Sequence, residues 1–144
     1  MTDRKYDVIV FGATGFTGRL VAEYLEQQYA GSDLKWAMAG RSEDKLKSVR
    51  DEMGVSGDIP LVVADSANPD SLNAMAQSAK VVLTTVGPYQ LYGTGLVNAC
   101  AENGTDYVDL SGEPAWMHDT VEQFDARAKE TGARIVHSLS LIHI

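Results

Sequence analysis

The chain has 144 residues, 44% of them hydrophobic, and its 20 acidic side chains against 12 Lys and Arg give a net charge of −8. That length is enough for one domain with its own core, while the charge excludes wrapping around nucleic acid, whose phosphates require a basic face. No apolar run approaches the ~20 residues of a membrane span, the polar first residues do not read as a signal peptide, and Cys100 has no partner for an internal disulfide, so a cytoplasmic, reducing setting is expected with peripheral contact to a membrane surface left open.

Strand and helix patterns alternate along the chain. A β-branched run at Tyr6–Phe11 is followed by glycines and a helical pattern over Phe16–Tyr29, with Phe16, Leu20, Val21, Tyr24 and Leu25 expected on its apolar face. A second strand at Lys35–Ala39 leads to a helix capped by Ser42, with Glu43 and Asp44 in its first turn, where negative charge suits the helix dipole. Pro60 precedes a strand at Leu61–Ala64, and Asn68-Pro69-Asp70 opens a helix that runs to about Gln77. Val81–Val86 reads as a central strand covered on both faces, broken by Gly87-Pro88-Tyr89. Helix Gly95–Glu102, strand Tyr107–Leu110, helix Pro114–Thr131 and strand Arg134–His137 complete the order. Six strands alternating with helices predict an α/β fold, a doubly wound parallel (Rossmann) sheet with helices on both faces and right-handed crossovers.

The most informative stretch is Gly12-Ala13-Thr14-Gly15-Phe16-Thr17-Gly18. It lies between the first strand and the first helix, the context in which a glycine fingerprint signals dinucleotide binding. Gly12 permits a sharp turn off the strand, Gly15 a close approach to a diphosphate, and Gly18 tight contact between helix and sheet. The N–H groups and positive dipole of the helix start then attract the anion. The spacing is like that of short-chain and related reductases, where positions such as Thr14, Phe16 and Thr17 add phosphate contacts. The competing reading is a tight turn with no ligand.

The end of the second strand selects between the two nicotinamide dinucleotides. A carboxylate there accepts from the 2′-hydroxyl of NAD, whereas a basic group pairs with the 2′-phosphate of NADP. The chain reads Ala39-Gly40-Arg41-Ser42, with no carboxylate at the strand end, so NADP is favoured over NAD, with Arg41 and Ser42 as its phosphate ligands. Asp65 reads either as an adenine contact or as a strand-end turn residue. Val86 and Gly87 lie where backbone approaches the ribose and nicotinamide, and Tyr89 either meets substrate or packs its own loop.

Other chemistry is weaker. No tyrosine has a lysine four residues on, so the short-chain dehydrogenase proton-transfer pair is absent. Asp106, Asp109, Glu113 and His118 fit no standard metal-ligand spacing, and no metal is expected. Asp109 and Ser111 read as strand-end residues, Ser111-Gly112 as an edge facing the nicotinamide, and Glu113 as a helix start. His137 reads as a structural histidine in preference to a crevice residue, and Cys100 as a buried small hydrophobe. No catalytic acid or base stands out.

Four motifs in order, Phe11–Gly18, Ala39–Ser42, Val86–Tyr89 with Tyr92-Gly93, and Asp109–Glu113, resemble those of the saccharopine dehydrogenase-like oxidoreductases, a group that includes mycobacterial trans-acting enoyl reductases. The resemblance implies an NAD(P)-binding domain at the start of a longer enzyme. A second domain would complete the substrate site, and hydride would pass to or from a small-molecule or lipid- or polyketide-like acceptor. The alternative is a non-catalytic NADP-binding sensor or scaffold. Residues 1–138 follow the family pattern. Residues 139–144 do not, and read as an atypical tail of a chain cut before its second domain, leaving a face for that domain or for a second copy.

Overall fold

The computed structural model describes residues 3–139. The elements run β1 (Tyr6–Phe11), α1 (Phe16–Tyr29), β2 (Trp36–Gly40), α2 (Glu43–Glu52), β3 (Leu61–Val63), α3 (Pro69–Ser78), β4 (Ala79–Thr84), α4 (Tyr89–Tyr92), α5 (Thr94–Asn103), β5 (Asp106–Asp109), α6 (Pro114–Thr131) and β6 (Ile135–Val136). The tail expectation falls almost wholly on residues 140–144, outside the described residues.

The strands form one sheet in the order β3-β2-β1-β4-β5-β6, with every pairing parallel. The chain winds outward from β1 to β3, returns to lay β4 beside β1, and winds out the other way. This is the doubly wound α/β sheet expected. Its two faces carry separate cores. Val10, Trp36, Met38, Leu46 and Val49 pack on one face. Ile9, Phe11, Leu72, Val82, Leu96, Tyr107 and Trp116 pack on the other. Adjacent residues Ile9 and Val10 serve opposite cores because side chains alternate along a strand. Cys100 is fully buried, and burial pushes its thiol well above the ordinary range.

Local chemistry sets the helix starts. The Ser42 hydroxyl accepts from the Lys45 N–H at 3.3 Å, and the Asn68 side chain accepts from the Ser71 N–H at 3.2 Å, with Pro69 in the first turn where its missing donor costs nothing.

Three expectations are corrected. The apolar face of α1 is not the one expected: Phe16, Leu20 and Tyr24 are 82%, 46% and 56% exposed, while Gly18 and Ala22 are buried. Helix-to-sheet distance is shortest where side chains are small, so the helix turns its Gly18–Ala22 face inward, with Val21 and Leu25 at its flank. β4 begins two residues early, at Ala79, which pairs with Tyr6 directly after α3. Lys80 is exposed and ion-paired with Asp7 at 2.7 Å, which hid this segment from a hydrophobic pattern. At its other end β4 stops at Thr84, because the Thr84 hydroxyl takes the Val86 N–H and turns the chain off the ladder. The third correction is α4, a short helix in a stretch that reads as a loop.

Candidate functional site

The connections after β1 and β4 depart to opposite faces, so a crevice opens at the carboxyl ends of these neighbouring strands. The loop after β1 fills its floor. Gly12 has φ +90, and a Cβ there would lie 2.8 Å from both Thr85 Oγ1 and Val86 Cγ2. A Cβ on Gly18 would lie 1.9 Å from the Gly12 carbonyl oxygen. The loop is thus clamped between the end of β4 and the first turn of α1, at spacings only glycine allows. The N–H groups of Gly12 and Ala13 both donate to the Ala39 carbonyl, and Arg19 donates to that of Thr14 at 3.0 Å.

A cleft of about 460 Å³ lies over this loop. Gly12, Thr14 and Gly15 form its floor, Gly40, Arg41 and Asp65–Ala67 one end, and Thr85–Gly87 with Tyr92 the other. The structure thereby brings Gly12, Thr14, Gly15, Arg41, Asp65, Val86 and Gly87 to one place from four separate loops. Ala13 and Gly18 are buried beneath it. Phe16 and Thr17 are exposed on the first turn of α1 and do not line it. Ser42 also stands off the lining, its hydroxyl occupied as the α2 cap. Asp65 takes the turn role considered for it, its carboxylate accepting from the Ala67 N–H at 2.9 Å, and it also lines the cleft.

Tyr89 packs its loop. It is 5% exposed and stacks on Trp116 with ring centroids 5.5 Å apart. Its hydroxyl donates to the Thr84 carbonyl at 3.2 Å. Burial, with Asp109 and Glu113 nearby, pushes this phenol up to about 12. Tyr92 is the aromatic side chain at that end of the cleft. Of the Ser111-Gly112 edge, Ser111 is buried with its hydroxyl accepting from the Glu113 N–H, Gly112 is exposed, and neither lines the cleft. Thr85, Ser66 and Ala67 carried no signal beyond position, since small residues after strands are common. Tyr92 lay in a quoted motif without a role, because nothing in the sequence announces α4.

The acidic residues weighed as a metal set scatter. Glu113 caps α4. His118 is on the exposed face of α6, grouped with Asp119 and Glu122. Asp109 is buried at the centre of a network. It accepts from the Tyr107 hydroxyl at 2.6 Å and from the Ser111 and Ser138 N–H groups, and bonds His137 Nδ1 at 2.7 Å. Burial works to raise the Asp109 carboxyl, but these partners outweigh it and hold it below the ordinary range. The other ring nitrogen of His137 lies 2.9 Å from Thr120 Oγ1. His137 is therefore a structural histidine joining β6, β5 and α6.

Whether the cleft suits a dinucleotide diphosphate is decided at α1. Unlike α2 and α3, it has no side-chain cap and no acidic residue in its first turn. Its N–H groups and positive dipole end open beside the floor of the cleft, which fits an anion. At the rim Arg41 is exposed, with no ion pair among the described residues, and no carboxylate ends β2. These features fit the 2′-phosphate of NADP.

The family profile described as "Saccharopine dehydrogenase NADP binding domain" matches residues 8–136. A "Trans-acting enoyl reductase" of Mycobacterium bovis is 47% identical over 135 residues, which is 93% of this chain and 32% of that protein. A protein of the same name from Mycobacterium ulcerans is 46% identical over 134 residues, again 32% of its length. The chain thus spans about a third of the length of these relatives. Among solved structures, saccharopine dehydrogenase (L-Glu forming) from Saccharomyces cerevisiae superposes with a TM-score of 0.71 at 16% identity, covering 95% of this chain and 28% of that one. The yeast methylglyoxal/isovaleraldehyde reductase Gre2, complexed with NADPH, superposes with a TM-score of 0.68 at 14% identity, covering 91% and 56%.

Proposed function

Because the chain belongs to the saccharopine dehydrogenase NADP-binding domain family, we propose that it is the cofactor-holding part of a reductase that adds hydride to an activated carbon–carbon double bond in a lipid- or polyketide-like acceptor. The acceptor class rests on the names of its mycobacterial relatives. The cofactor assignment rests on the uncapped start of α1 facing the cleft, with Arg41 at the rim.

The N–H groups of Thr14 and of the first turn of α1, which have no acceptor among the described residues, would hold the diphosphate. Arg41, aided by the Ser42 backbone, would hold the 2′-phosphate. Asp65–Ala67 would border the adenine, and Val86, Gly87 and Tyr92 the nicotinamide half. When bound, NADPH supplies the hydride from its nicotinamide ring. The residues of this chain bind and orient it. The acceptor would be held partly by a further domain, since the relatives are about three times as long.

Titration with NADPH and NADH tests the proposal. NADPH should bind more tightly, and Arg41→Ala should weaken NADPH about tenfold or more while changing NADH about twofold or less, because a charge-assisted fork to phosphate is worth roughly 1.5–3 kcal/mol. Equal affinities, or an equal loss for both cofactors, would overturn it. Oxidation of NADPH with enoyl, carbonyl and imine acceptors by a protein of the relatives' length tests the reaction class.

A further inference from the structure

We propose that Glu113 is a positioning residue for the nicotinamide half of the cleft. This rests on the reading of the cleft as an NADP(H) site. Glu113 lies at the start of α6, where it gives that helix no side-chain cap. Its carboxylate instead reaches across to α4, accepting from the Tyr89 N–H at 2.6 Å and the Gln90 N–H at 3.1 Å. Both carboxylate oxygens are thus committed to the first turn of a four-residue helix that sits directly after the cleft-lining segment Thr85–Gly87.

A helix of four residues cannot hold itself together, because nucleation is unfavourable and few hydrogen bonds repay it. α4 persists because outside groups fasten it. Glu113 ties its start, and Tyr89 is stacked on Trp116. Its end is fixed at Gly93, where a Cβ would meet the Trp116 ring at 2.6 Å. Trp116 in turn donates to the Thr94 hydroxyl at 2.9 Å. Both anchors, Glu113 and Trp116, belong to one helix start, so α6 braces α4 as a unit. Tyr92 ends α4 and is 48% exposed, lining the cleft opposite the Arg41 end. Since the 2′-phosphate end lies by β2, the end built from β4 and α4 belongs to the nicotinamide. Without the Glu113 carboxylate, α4 has two uncapped N–H groups and spends less time in the shape that forms this wall. Apparent affinity falls with the fraction of time the competent shape is present, so a wall formed a tenth of the time costs about tenfold.

The position of the brace predicts which half of the ligand feels its loss. NADPH spans the whole cleft, whereas 2′-phospho-ADP-ribose carries the adenosine, the 2′-phosphate and the diphosphate without nicotinamide. Calorimetric titration of Glu113→Gln, which keeps the side chain's shape but replaces one acceptor oxygen with a donor, should show NADPH weakened about tenfold and 2′-phospho-ADP-ribose changed less than about twofold. Equal weakening of both ligands would make Glu113 merely a folding residue and overturn the proposal. So would unchanged NADPH affinity. Failure of the unaltered chain to bind either ligand would instead sink the cofactor reading itself. A measurement on the unaltered chain removes any dependence on how the variant folds: NADPH should slow hydrogen exchange of the 86–93 amides more than 2′-phospho-ADP-ribose does, and equal protection by both overturns the proposal.

Discussion

At Gly18 a single hydrogen atom decides how near α1 lies to the sheet. A methyl group there would stand 1.9 Å from the Gly12 oxygen, so helix or loop would have to move, and the cleft floor with it. Asp109 poses a different residue-scale problem, a carboxylate with no exposed side-chain surface. It stays charged because four partners surround it, and that arrangement links stability to pH. Its folded-state value is depressed below the unfolded value of about 3.9. The stabilisation is therefore fully present above pH ~4 and is lost as pH falls through the lower folded value. We expect Asp109→Asn to cost about 2–3 kcal/mol at neutral pH, as broken buried charge networks do. Urea unfolding of both proteins from neutral to strongly acid pH should show that gap shrinking below pH ~4; a pH-independent gap would contradict this account.

Each element shows a rule of local sequence meeting a tertiary demand. Ser42 was expected both to cap α2 and to meet the phosphate, and its hydroxyl serves the cap. Ser42→Ala should thus lower stability by about 1 kcal/mol in a denaturant titration while weakening NADPH much less than Arg41→Ala. A large selective loss of NADPH would instead assign the hydroxyl to the ligand. Start and end residues of α1 were legible because the glycine turn and the apolar run mark them. Its rotation was not, since Phe16, Leu20 and Tyr24 are the larger apolar residues yet the small Gly18 and Ala22 fit the closest approach. Arg4 illustrates a fastening that no pattern announces. Its guanidinium donates to the carbonyls of Ala76 and Asn103 and to Thr105, tying the ends of α3 and α5 together ahead of β1.

For the whole molecule, the cleft and the sheet are one construction, because the ligand site is assembled from loops that exist only when β1, β2, β3 and β4 lie side by side. Binding should therefore stabilise the entire fold. With NADPH at a hundred times its dissociation constant, unfolding free energy should rise by about 2.7 kcal/mol, read as a shift in urea midpoint with unchanged slope. NADH at the same concentration should give a smaller shift, and equal shifts would argue against selection of the 2′-phosphate. Among the described residues no helix is long and apolar enough to cross a membrane.

The sequence by itself determined the alternation of strands and helices, the doubly wound sheet, the glycine loop and the choice of Arg41 over a carboxylate. These depend on short-range signals: periodicity, turn residues and charge at a fixed offset from a strand end. Only the tertiary structure decided which way Tyr89 turns, that Tyr92 takes the cleft wall, that Glu113 serves α4 rather than its own helix, and that Asp109 and His137 form a buried tie. Those outcomes join residues 20 to 30 positions apart across packed elements, and no local pattern encodes them, because each side chain's role depends on neighbours the chain meets only after folding.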